Sequence, residues 1–74
     1  MGDTSSSIIR ENIRHLRQEK RYSQEYMAIC LTVSQNAYSK LERGLTRLTF
    51  ERLSAIANIL GTSAEELMRN AGAE

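Results

Sequence analysis

Residues 23–44 decide the fold: Ser23-Gln24-Glu25-Tyr26-Met27-Ala28-Ile29-Cys30-Leu31-Thr32-Val33-Ser34-Gln35-Asn36-Ala37-Tyr38-Ser39-Lys40-Leu41-Glu42-Arg43-Gly44. Ser23 suits a helix N-cap, because its hydroxyl can accept from a backbone N–H two or three residues on. Gln24 and Glu25 then place acceptors and negative charge in the first turn, where the helix dipole favours them. Tyr22 and Met27 occupy the two positions of a hydrophobic staple. The spacing predicts a short helix over 24–31 that buries Met27, Ala28 and Leu31. Thr32-Val33 interrupts it. Ser34 caps a second helix over 35–43, with Tyr38 and Leu41 inward, and Gly44 stands where a left-handed residue ends a helix.

The same signals extend in both directions. Ile9, Ile13 and Leu16 form an i, i+4, i+7 stripe that predicts a helix over 8–20. Before it, residues 1–7 are small and polar and predict a disordered leader. Gly2 and Ser6 formally match a myristoylation pattern, a motif short enough to arise by chance. After a loop over 45–48, Thr49 caps a helix over 50–60 with Phe50, Leu53, Ile56, Ala57 and Leu60 at helical spacing, and Gly61 ends it. Ser63 and Glu66 have the spacing of a capping box that opens a last helix carrying Leu67 and Met68. Residues 71–74 are expected to fray. No segment alternates as a strand would. The expected architecture is therefore all-α: one compact domain over 8–70, made of five short helices.

The bulk properties narrow the function. A chain of 74 residues supports one domain of marginal stability, which a partner subunit would help. One cysteine, Cys30, excludes an internal disulfide and a cysteine-rich zinc site, and fits a reduced, cytoplasmic setting. No apolar run approaches a membrane span. The only histidine, His15, falls within the first predicted helix. No nucleophile–base pair, phosphate-cradling glycine loop or metal-ligand spacing occurs, so an enzyme, a cofactor or a small-molecule substrate is not expected. Net charge is only +1, but it is unevenly distributed. Residues 10–52 hold nine basic and five acidic side chains, while the remainder holds one basic and four acidic. A basic body with an acidic end suits a polyanionic partner.

Two short helices joined by a tight turn, the second polar on its outer face, make a helix-turn-helix, whose second helix fits a DNA major groove about 12 Å wide. The run Ser23-Gln24-Glu25, Met27-Ala28, Val33-Ser34, Tyr38 to Gly44, Leu60-Gly61, Ser63 and Glu65-Glu66-Leu67 resembles the Cro/phage-repressor family, also called XRE-like. The resemblance covers residues 8–69 and implies a lambda-repressor-like fold. It implies an ion pair between Arg17 and Glu42 that bridges the first and third helices. By family position, Gln35, Asn36, Ser39 and Lys40, with Arg43 at the far end, are the expected base contacts. Gln and Asn can grip adenine, and Lys can reach guanine. Gln24, Ser23, Arg21, Lys20 and Arg47 are expected phosphate contacts, which position the protein without reading sequence. Tyr38 is larger than the usual aliphatic residue at its position; core packing is expected, with DNA contact the alternative.

Three residues depart from the family pattern. Thr32 and Arg21 stand where glycines are usual, and positive φ at either would cost about 1 kcal/mol. Leu48 replaces a common proline. Tyr26, Ile29 and Cys30 form an apolar i, i+3, i+4 set on the outer side of the second helix, a possible partner patch. One nine-residue recognition helix spans few base pairs, so a homodimer on a palindromic operator with half-sites about 34 Å apart is expected. Leu67, Met68, Ile59, Leu45 and Leu48 are its expected interface. With no room for an effector domain, the expected role is a repressor or autoregulatory controller of transcription. The alternative is a protein-interaction module of the same fold, such as an antitoxin or bridging factor.

Overall fold

Four hydroxyl side chains start four of the helices. Ser23, Ser34, Thr49 and Ser63 accept from the backbone N–H of Tyr26, Ala37, Arg52 and Glu66 at 2.9, 3.0, 3.1 and 3.1 Å. Each satisfies an N–H that the helix itself leaves without a partner. The computed structural model describes residues 4–69 and contains α1 (Thr4–Glu19), α2 (Gln24–Leu31), α3 (Gln35–Arg43), α4 (Phe50–Ile59) and α5 (Ala64–Arg69). The fold is the expected all-α, lambda-repressor-like one. Residues 1–3 of the expected 1–7 leader, including Gly2 of the myristoylation pattern, residue 70 at the end of the expected domain and the expected frayed tail over 71–74 lie outside the described residues.

α1 begins four residues earlier than expected, so residues 4–7 are helix rather than leader. Once the Ile9–Leu16 stripe is docked, each added residue gains a backbone bond without a new nucleus. Serine and threonine oppose that only weakly. At the other end, Glu66 turns its carboxylate to Arg69, 3.5 Å away, and Ser63 supplies the cap.

The core is contributed by all five helices. Ile13, Met27, Tyr38, Ile56 and Leu60 are its largest fully buried side chains. α1 packs across α3 and α5, α2 lies between α3 and α4, and α4 also meets α5. Ala28 is buried where α2 and α3 pack together. Two expectations are corrected here. Phe50, placed by spacing on the buried stripe of α4, is 63% exposed. It is the first residue of that helix, one step beyond the core that Leu53, Ile56, Ala57 and Leu60 share. Leu67, expected at a dimer interface, is only 4% exposed. It closes the core with Ala64, and its carbonyl accepts from Asn12 Nδ2 at 2.8 Å.

The α2–α3 turn is set by Thr32, whose backbone is left-handed at φ 62° and ψ 43°. That conformation lets the N–H of Thr32 reach Ile29 O at 3.1 Å and the N–H of Val33 reach Ala28 O at 3.0 Å. Arg21, between α1 and α2, is also left-handed, at φ 63°. Both non-glycine residues therefore carry the strain expected of them, about 1 kcal/mol each.

Candidate nucleic-acid interface

A buried polar cluster fixes the orientation of α3. Arg17 Nε donates to Glu42 Oε2 at 2.6 Å, and Arg17 Nη2 donates to Glu42 Oε1 at 3.2 Å. The fork is bidentate and almost enclosed, with Arg17 8% and Glu42 5% exposed. Arg17 Nη1 also donates to Tyr22 O at 2.8 Å, which ties the end of α1 to the segment entering α2. Tyr38 Oη donates to Glu42 Oε2 at 2.7 Å, and Gln24 Nε2 donates to Glu42 Oε1 at 3.1 Å. One carboxylate thus joins α1, α2 and α3. Burial by itself raises the Glu42 pKa. The hydrogen bonds from Arg17, Tyr38 and Gln24, with the charge of Arg17, outweigh it and hold the carboxyl below its ordinary value. Burial, and then the bond to Glu42, push the Tyr38 phenol well above its usual range, so it remains a neutral donor. Tyr38 is fully buried and belongs to the core.

The outer edge of α3 is left open. Gln35 and Asn36 are exposed at its start, Ser39 and Lys40 are half-buried along it, and Arg43 is exposed at its far end. Nine residues make a helix about 13.5 Å long at 1.5 Å per residue, with the first turn held by Ser34. Asn36 and Lys40 border a cleft between α3 and the start of α4. Arg43 borders a different concavity, beneath the α3–α4 loop, together with Arg10, Leu45 and Phe50. Arg43 is thereby set apart from the Asn36–Lys40 edge.

The flanking residues divide similarly. Ser23 and Arg21 are exposed beside the start of α2. Gln24 is half-buried, and its amide is turned inward to Glu42, so it links the start of α2 to the buried cluster. Lys20 lies with exposed His15 against the α4–α5 turn, its ammonium 3.9 Å from where a Cβ on Gly61 would stand. It borders neither of the concavities beside α3. Arg47 is exposed on the α3–α4 loop and borders both.

Two contributors escaped the sequence reading. Arg10 Nε donates to Leu41 O at 2.8 Å, and Arg10 Nη2 donates to Thr46 O at 2.8 Å. Its cation therefore sits at the C-terminal end of α3, where the helix dipole favours it, and holds the loop that carries Arg47. The signal was available, since Arg10, Ile13 and Arg17 fall at i, i+3 and i+7 on one face of α1. Arg52 lies across the cleft from Asn36 and Lys40. It had no family position to mark it.

Two apolar surfaces flank this site. Tyr26, Ile29 and Cys30 are exposed on the outside of α2, and the ring of Tyr26 packs 4.5 Å from that of Tyr22. Leu45, Phe50 and Met68 are exposed around the concavity beneath the α3–α4 loop. Leu48 and Ile59, expected with them, are half-buried and pack on the core.

Comparison with known proteins agrees with this geometry. A sequence model of the helix-turn-helix family matches residues 13–67. The chain is 33% identical over 64 residues to the SPbeta prophage-derived uncharacterized HTH-type transcriptional regulator YonR of Bacillus subtilis. That alignment covers 86% of this chain and 59% of the relative. It is 29% identical over 58 residues to the HTH-type transcriptional regulator AnsR of the same organism, covering 78% of this chain and 50% of that protein. The chain thus spans between half and three-fifths of the length of these relatives. No solved structure matches. With the matched segment running from α1 to α5 and the α2–turn–α3 unit at its centre, the chain belongs to the XRE-type helix-turn-helix family.

Proposed function

We propose that this protein is a sequence-specific, double-stranded-DNA-binding transcriptional regulator that acts as a homodimer on a palindromic operator. The observation that carries this reading is the open polar edge of α3, held at a fixed angle by the buried Arg17–Glu42–Tyr38 cluster. Gln35, Asn36 and Ser39 read base edges in the major groove, the amides by paired hydrogen bonds to adenine. Ser23, Arg21 and Arg47, with the exposed N–H groups at the start of α2, hold phosphates on either side. Arg43 marks the far end of the contact.

The dimer forms through Leu45 and Met68, joined by Phe50, and the exposure of all three supports that reading. Exposed aromatic and aliphatic side chains around one concavity suit the centre of such an interface. The relatives' names as transcriptional regulators support the regulatory reading. A cytoplasmic repressor or self-limiting controller follows from it. Selection of duplexes from a random pool, followed by affinity measurement over a range of salt, tests the proposal. A preferred duplex with log K falling steeply against log salt is expected.

A second reading has its own observation. The exposed Tyr26–Ile29–Cys30 surface suits a protein partner, as in an antitoxin or bridging factor of this fold. A flat salt dependence with no preferred duplex favours it over the first.

A further inference from the structure

The cleft between α3 and the start of α4 gathers positive charge from three parts of the chain. Lys40 projects from α3, Arg47 from the loop and Arg52 from α4, with Asn36, Thr46 and Thr49 as polar neighbours. Among the described residues no carboxylate borders it. Among the described residues none of these three cations is ion-paired, whereas Arg14, Arg17 and Arg69 each lie within 4.0 Å of a carboxylate. Lys40 and Arg52 are half-buried beside the cleft, as long side chains are when their apolar stems lie on protein and their charged heads reach solvent. Like charges gathered in one depression repel one another, and an anion seated among them removes that repulsion. The first-turn N–H of Arg52 already donates to Thr49 Oγ1 at 3.1 Å and is not open to an anion.

We infer that Lys40, Arg47 and Arg52 form a clamp for the phosphodiester backbone of one DNA strand, and that Lys40 holds phosphate instead of reading a base. The inference rests on the DNA-binding reading and refines it. Lys40 stands on the α4-facing edge of α3 with Asn36, one turn apart, while Gln35 does not border the cleft. An ammonium is a compact point charge suited to phosphate, and two arginines provide the planar forks that grip phosphate oxygens in pairs. Asn36 lies at the lip, where base contact and the clamp meet. The DNA strand then runs along the seam between the recognition helix and α4, and the α3–α4 loop closes over it.

The experiment uses the whole chain and a duplex selected from a random pool. Affinity is measured from low to moderate salt for the parent, Lys40→Ala, Arg52→Ala and Arg52→Lys, with circular dichroism reporting the helical content of each. Each alanine variant is expected to reduce the slope of log K against log salt by about 0.9, one phosphate contact. It is expected to weaken the selected duplex and random competitor by the same factor. Arg52→Lys is expected to retain the parental slope. A panel of duplexes with single base-pair changes gives the contrary outcome for Lys40: if Lys40→Ala relaxes preference at one base pair and leaves the slope unaltered, the residue reads a base and the inference is overturned. A steep parental slope unaffected by Arg52→Ala also overturns the clamp, with DNA binding intact. A parent that shows a flat slope and no preferred duplex removes the DNA-binding reading itself.

Discussion

Replacing Arg17 with methionine keeps an unbranched apolar stem and removes the guanidinium. Three of the five hydrogen bonds in the buried cluster disappear: both arms of the fork to Glu42 and the bond to Tyr22 O. The Glu42 carboxylate, 5% exposed, is left with two neutral donors, Tyr38 and Gln24. Breaking a buried pair from one side costs about 3–5 kcal/mol. A domain of this size has roughly 4–11 kcal/mol in total, so Arg17→Met removes a large share. With a urea dependence of about 1 kcal/mol per molar, the unfolding midpoint falls by about 3 M or more. Tyr38→Phe, which removes one hydrogen bond to a charged acceptor, costs about 1.5–3 kcal/mol. The combination Arg17→Met, Tyr38→Phe and Glu42→Leu leaves no buried charge and no unpaired buried hydroxyl. It is expected to return to within about 2 kcal/mol of the parent. Duplex affinity does not return with it, because the link among α1, α2 and α3 is gone. Equilibrium urea unfolding followed by circular dichroism at pH 7 measures all three. A loss below about 1 kcal/mol for Arg17→Met, well under the range for a broken buried pair, would refute the claim that Glu42 is buried as a carboxylate.

Glu42 also sets the acid limit of stability. Its folded pKa is depressed below the ordinary 4.5, so its contribution is complete above that value and is lost as pH falls through the lower folded one. Acid titration of stability should therefore be steeper for the parent than for Glu42→Gln below about pH 4.5, and equal slopes contradict the assignment. Thr32→Gly and Arg21→Gly each relieve a left-handed backbone, and thermal unfolding should show a gain of up to about 1 kcal/mol; a loss at both means no strain is stored there. Phe50→Asp should yield a monomer of unchanged helicity by sedimentation, while an unaltered dimer mass excludes that face as the interface. Arg10→Met should speed amide exchange at Leu45, whose N–H is bonded to Lys40 O at 2.9 Å, without affecting the α4 core.

Local chemistry made most of the fold legible. Ser23, Ser34, Thr49 and Ser63 announce helix starts, because each acts within three residues of itself. Gly44 announces an end for the same reason. The Arg17–Glu42 pair spans 25 residues, and only the family resemblance made it visible. Features that depend on how helices pack were harder to read. Spacing places Phe50 on the same stripe as Leu53, but periodicity does not say where the core stops, and Phe50 falls beyond it. Leu67 and Met68 are adjacent apolar residues, and only the seating of α5 on α1 and α4 decides that Leu67 goes inward and Met68 outward. Gln24 reads as an exposed first-turn amide until Glu42 is seen beside it. Arg52 reads as an ordinary solvated cation until the cleft opposite Lys40 is on view.

The open edge of α3 is expected to enter duplex DNA. Backbone amide shifts of the labelled protein, recorded as a selected duplex is added, test that most directly. The largest changes should fall on residues 34–40, on Arg47 and Arg52 and on the start of α2 at Ser23 to Glu25, with Ile29 and Cys30 unmoved. Changes concentrated on that α2 surface, with residues 34–40 unmoved, would contradict it.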